Sequence, residues 1–268
     1  MVGGMANALS PEFSRQLDGL RGLAALLVLV AHAAQLFWLP FVAPGSAVVD
    51  VFATAARHAV LVFFLLSGYL IAHGIRRNRA AGGCFDFRSY LLARLARLWP
   101  PLAGALLLTG LAVLAFDALA ADAGLPFALH AQPSEFLRAL LFVGGLEQGN
   151  PALWSLYVEA RLYLVAGLLA WGLSCRGGRH PASVAAVLLA ALCVWESAHF
   201  LLFGFVWAVG AFCALAPTAW QLRRRQLAPV LWGLAVCVLA VEPGWLSVRG
   251  SHSGGVAWMQ ALAGLLYA

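Results

Sequence analysis

Arg21 and His32 bracket ten uncharged residues, Gly22 to Ala31, and His32 stands inside an apolar run that reaches Leu39. An ionisable side chain in a membrane helix is costly, and its default reading is functional. Eleven residues at 100° each return to within about 20° of one helical face, about 16 Å apart along the axis. Asp18, three residues before Arg21, lies on nearly the same face and can hold its guanidinium. The spacing predicts a cation at one membrane boundary and an imidazole about half-way through. Arg94 and Arg97, at i and i+3, share a helical face suited to bidentate phosphate contacts or, more simply, to anchoring a span at its basic side. Glu159 is a carboxylate within the apolar run Trp154 to Leu173, and Ser67, Tyr69, Ser155 and Tyr163 add hydroxyl groups in such runs. Arg161, two residues from Glu159, faces another side of that helix. Ser67-Gly68 also fits close helix packing, because small residues let backbones approach.

The elements that must position these groups are membrane spans. The chain has 268 residues, of which 63% are hydrophobic and 10% charged, and its mean hydropathy is +0.86. Soluble domains carry about 25% charged residues, so this is an all-α, polytopic transmembrane bundle with the lipid bilayer as its solvent. Spans are expected over Gly22–Leu39, Ala59–Ile75, Leu98–Phe116 (opened by Pro100 and Pro101), Trp154–Leu173, Ala182–Trp195, His199–Leu215 and Leu227–Val241. An eighth, from Gly254, is cut short at Ala268. The chain reads as one membrane domain over residues 1–268 that lacks its C-terminal spans. Phe136–Leu146 is too short to cross a core of about 30 Å and reads as re-entrant or interfacial.

All 17 basic residues are arginines. With Phe136–Leu146 not spanning, thirteen of them fall at one side, three at the other, and Arg161 within a helix. The positive-inside rule then makes the N-terminus cytoplasmic. Basic residues confined to connections between spans argue for orientation and against nucleic-acid binding. Neither the five cysteines nor the remaining histidines have metal-ligand spacing, so no metal site is expected. The tryptophans near span boundaries fit an interfacial belt.

Four stretches resemble the acyltransferase family 3 membrane proteins. LDGLRGLAALLVLVAH (Leu17–His32) is similar to the family's arginine, ten residues, histidine opening. FFLLSGYLI (Phe63–Ile71) resembles its second-helix motif, RLAR (Arg94–Arg97) its RxxR, and WSLYVEARLY (Trp154–Tyr163) its tryptophan-serine-leucine-x-x-glutamate block. They occur in family order across about the first 175 residues.

The resemblance implies a multi-pass enzyme of the cell membrane, expected to be a bacterial inner membrane. It would transfer an acyl group, often acetyl, from cytoplasmic acyl-CoA to a hydroxyl of an envelope polysaccharide, glycolipid or similar acceptor. Acyl-CoA would be a substrate, with no tightly bound cofactor. Arg94 and Arg97 would bind the donor, and Arg21 would serve it at the same boundary. A neutral His32 would act as general base, and Glu159 would orient His32 or hold the acceptor. Ser67, Tyr69, Ser155 and Tyr163 would bind the acceptor or an oxyanion. Two rival expectations remain: a transporter or flippase for acyl- or glycan-linked lipids, and an inactive fragment of the enzyme. No internal repeat of the transporter kind is visible.

Overall fold

The computed structural model describes residues 11–38, 47–82, 85–122, 131–146, 150–174, 180–196 and 198–215. Every element among them is helical: α1 (Pro11–Phe37), α2 (Ala47–Gly82), α3 (Phe87–Asp122), α4 (Pro133–Leu140), α5 (Trp154–Ser174), α6 (His180–Glu196) and α7 (Ala198–Leu215). Four helices contain segments long and apolar enough to cross a membrane: Pro11–Ala34, Thr54–Arg79, Phe87–Leu119 and Trp154–Ser174. The apolar parts of α6 and α7, Pro181–Trp195 and Phe200–Leu215, are shorter. The spans expected from Leu227 and Gly254 lie outside the described residues.

Two boundaries differ from the sequence expectation. The first helix begins at Pro11 rather than at Gly22, because Ser14, Arg15, Gln16 and Asp18 continue the helix although they are polar. The third does not open at Pro100. It starts at Phe87 and carries both prolines in its interior. Its start is set by Asp86, whose carboxylate accepts the Ser89 amide at 3.2 Å and the Ser89 hydroxyl at 2.5 Å, the arrangement of an N-cap. Those two bonds hold the Asp86 carboxyl below its usual value. At 36 residues, α3 is about 54 Å long, well beyond a core of about 30 Å.

The stretch expected to be re-entrant is not a span. α4 has eight residues, about 12 Å of helix. Its Glu135 carboxylate accepts the Gln132 amide at 3.2 Å. The chain then reverses through Phe142 (φ 58°), Gly144 (φ 124°), Gly145 (φ 108°) and Leu146 (φ 59°). At Gly145 a β-carbon would come within 2.5 Å of the Glu135 carbonyl oxygen, so only glycine fits. The loop is pinned to α5 by the Tyr157 hydroxyl, 2.9 Å from the Gly145 oxygen, and by Arg161 Nη2, 3.0 Å from the Val143 oxygen. Ala139 and Leu146 are fully buried in a cluster with Leu102, Leu106, Leu153 and Tyr157.

α2 is the hub, packing on α1, α5 and most extensively α7. At the α2–α7 crossing a β-carbon on Gly68 would lie 1.9 Å from the Trp207 carbonyl oxygen, and one on Gly210 would lie 2.0 Å from that of Leu65. The two glycines let the backbones touch.

Contacts along the bundle fix which helix ends lie together. Phe13 meets Tyr69 edge-on at 6.1 Å, and Trp38 meets Phe52 at 5.6 Å, so α1 and α2 are antiparallel. The Phe85 amide donates to Ser174 Oγ at 3.3 Å, Arg76 Nη1 to the Ala214 carbonyl at 3.0 Å, and Gly172 lies against Ser183. The start of α1, end of α2, start of α3, end of α5, start of α6 and end of α7 therefore share one end of the bundle. Arg15, Arg76, Arg77, Arg79 and Arg88 are at that end.

Candidate active site

Three of the expected site residues meet in the interior. Ser67 Oγ donates to Glu159 Oε1 at 3.1 Å and lies 3.2 Å from the Tyr163 hydroxyl. The Tyr163 hydroxyl also donates to Glu159 Oε1. Ser67 and Tyr163 are buried and Glu159 is half-buried. Glu159 and Tyr163 stand four apart on α5, so they share a face of one helix, and Ser67 reaches them from α2. A carboxylate placed among apolar side chains is thus satisfied by two hydroxyl donors, as a buried charge requires.

Arg94 adjoins this group. Its guanidinium carbon lies 5.5 Å from the centre of the Tyr90 ring and 5.8 Å from that of Tyr163. Its Nε is buried without a hydrogen-bond partner. The sequence reading puts Arg94 and Arg97 at the membrane edge. Instead Arg94 is level with Tyr163, about 16 Å along α5 from Ser174, because the RLAR stretch belongs to the second and third turns of a helix that starts at Phe87. Arg97 is exposed on the same helix. A cation, a carboxylate and two hydroxyls therefore converge where α2, α3 and α5 meet, a combination that can bind an anionic or carbonyl oxygen and move a proton.

The structure does not bring the other expected residues here. Tyr69 is two residues from Ser67 and turns to the other side of α2, against Phe13 of α1 and stacked on His73 at 6.4 Å. His73 in turn contacts Arg76 Nη2 at 3.3 Å. Ser155 lies on the same stripe of α5 as Glu159 and Tyr163, but its hydroxyl bonds back to the Ala152 carbonyl at 3.4 Å.

Arg21 and His32 do lie on one unbroken helix, as the spacing predicts. Their depth differs from expectation. The two α1–α2 ring contacts put both residues between the levels of Tyr69 and Phe52, Arg21 nearer Tyr69 and His32 nearer Phe52, and the apolar segment Pro11–Ala34 contains both. Arg21 is half-buried beside the Leu17–Ala24–Ala31 stripe that packs on α2, whereas His32 is exposed. α1 packs on α2, and it is α2 that packs on α5. Glu159 Oε1 accepts hydrogen bonds from Ser67 and Tyr163.

The family model described as an acyltransferase domain, family 3, matches residues 14–268. The chain belongs to acyltransferase family 3. A relative of this acyltransferase, "Protein 2 in picA locus" of Rhizobium radiobacter, is 37% identical over 90 residues, which cover 34% of this chain and 40% of that protein. The match thus spans less than half of the relative's length. No solved structure matches the acyltransferase. Among its described residues, no three His, Cys, Asp or Glu side chains gather as metal ligands would.

Sequence reasoning missed the residues that shape the site without doing chemistry. Tyr90 carried a weak signal, four residues before Arg94 and so on its face of a helix. Gly167, against which the Tyr90 ring lies, carried none, because its role depends on how α3 and α5 are aligned.

Proposed function

We propose that this membrane acyltransferase moves an acyl group, often acetyl, from acyl-CoA to a hydroxyl of an envelope polysaccharide, glycolipid or similar acceptor. The observation that carries this reading is Arg94, a cation inside the bundle with no ion pair among the described residues, beside the Ser67–Glu159–Tyr163 group. A half-buried cation without an ion pair calls for an anionic or strongly polar ligand. A CoA thioester supplies both phosphates and a polarised carbonyl. It would enter from the end holding Arg76, Arg77, Arg79 and Arg88, which we assign to the cytoplasm on the positive-inside rule.

In this scheme Arg94 and Arg97 bind the donor, Ser67 and Tyr163 hold Glu159 in place, and Arg21 with His32 serves transfer from α1. The acceptor hydroxyl oxygen attacks the thioester carbonyl carbon and loses its proton to a base. The C–S bond then breaks, and the CoA thiolate leaves with the electron pair and is protonated. His32 is the proposed base on chemical grounds, because a neutral imidazole offers a nitrogen that can accept the proton. A second reading makes Glu159 the base, favoured by its position in the group beside Arg94.

The test is acetyl-CoA consumption by the full chain in nanodiscs, followed as freed CoA thiol. Turnover that disappears in Arg94→Ala supports the donor reading, and wild-type protein that releases no thiol overturns it in favour of a transporter or an inactive fragment. The base is named by whichever of His32→Ala and Glu159→Gln abolishes turnover while CoA still binds.

A further inference from the structure

Among the described residues, Arg94 is held by aromatic rings and forms no ion pair with an acid. Its guanidinium carbon sits within 6 Å of the ring centres of both Tyr90 and Tyr163, inside cation–π range. The Tyr90 ring is itself fixed. Its hydroxyl donates to the main-chain carbonyl of Tyr163 at 3.0 Å, and the residue is buried in a cluster with Phe85, Leu98, Tyr163 and Ala166. It fits against α5 only because residue 167 is glycine: a β-carbon there would lie 2.7 Å from Tyr90 Cε1 and 3.0 Å from Cδ1.

We propose that Tyr90 is the positioning residue for Arg94. With Tyr163 it forms an aromatic clamp on the guanidinium, and Gly167 is the gap that admits the ring. The physical advantage over an acidic partner is specific. A carboxylate would occupy the guanidinium N–H groups and cancel the charge, whereas ring faces attract the cation and leave both for a ligand. The clamp also fixes a side chain that would otherwise lose rotamer freedom when the donor binds. This inference rests on the reading of Arg94 as a donor-binding residue.

The test compares Tyr90→Leu, Tyr90→Phe and Gly167→Ala in the full chain in nanodiscs, with CoA binding by calorimetry and freed thiol from acetyl-CoA as readouts. Tyr90→Leu removes the ring and should raise both the Kd for CoA and the KM for acetyl-CoA about tenfold with kcat largely kept, the size expected of a desolvated cation–π contact. Tyr90→Phe keeps the ring and should recover most of that loss. Gly167→Ala, which pushes the ring away, should resemble Tyr90→Leu. An unchanged KM in Tyr90→Leu overturns the inference, as does a Tyr90→Phe protein as impaired as Tyr90→Leu, because then the ring face is not what holds Arg94. Wild-type protein that neither binds CoA nor releases thiol overturns the donor reading and the clamp with it. Wild-type protein that does both, beside an unaltered Tyr90→Leu, overturns the clamp alone.

Discussion

Ser67 on α2 donates a 3.1 Å hydrogen bond to Glu159 on α5, joining residues 92 apart in sequence. The same carboxylate oxygen accepts the Tyr163 hydroxyl, so removing it takes that acceptor from the buried Tyr163 hydroxyl, while Ser67 can still donate to Tyr163 at 3.2 Å. Glu159→Ala should lower the unfolding free energy by about 1–3 kcal/mol. Glu159→Gln keeps an acceptor and should cost less, yet reduce acyl transfer by about 10²-fold or more if the carboxylate handles the proton. Thermal unfolding in detergent beside turnover separates the two effects. A Glu159→Gln protein with wild-type turnover would limit Glu159 to a structural role.

His32 is exposed on α1, so its removal opens no cavity in the described core. His32→Ala should leave the melting temperature within a few degrees of wild type, because surface changes are usually within about 0.5 kcal/mol. CoA affinity should be retained and transfer lost. Loss of folding together with activity would assign His32 to packing instead.

The helix crossing at Gly68 and Gly210 is sensitive to a single methyl group. Gly68→Ala and Gly210→Ala each place a β-carbon about 2 Å from a carbonyl oxygen of the other helix and should cost about 1–3 kcal/mol by overpacking. Gly104→Ala is the internal control. Nothing lies within 4 Å of the β-carbon position there, and alanine favours the helix by about 0.5–1 kcal/mol. Equal melting temperatures for all three variants would contradict the described α2–α7 contact.

Asp86 gives the start of α3 a pH dependence. Its carboxyl is held below the usual value near 3.8 by the Ser89 hydroxyl and amide. A depressed folded-state value means that the stabilisation is present above the unfolded value and lost as pH falls through the folded one. The protection factors of the amides in the first turn of α3, with the intrinsic pH dependence of exchange divided out, should therefore hold from neutral pH down to about pH 4 and fall below it. In Asp86→Asn that acid step should be absent.

The sequence made the chemical groups legible better than their depth. Ser67, Glu159 and Tyr163 are legible as polar groups inside apolar runs, which is a local property, whereas their convergence depends on how α2 meets α5. Arg94 was readable as a functional cation, but its depth was not, since proline at 100 reads as a helix start while Asp86 and Ser89 set the start at Phe87. The same error moved Arg21: polar residues from Ser14 to Asp18 look like a boundary in a hydropathy pattern, yet they continue the helix. The bulk of α4 was correctly read as too short to span. Tyr90, Gly167 and the Gly68–Gly210 contact were hidden because each depends on the register between two helices, which no single segment encodes.

The half-height α4 has a consequence for connectivity. Had it crossed the bundle, every later helix would run in the opposite sense. Because it turns back, the described chain makes an even number of traverses, through α1, α2, α3, α5, α6 and α7. Parity then returns Leu215 to the face from which Pro11 departs, and one eight-residue element decides at which face each later described helix begins.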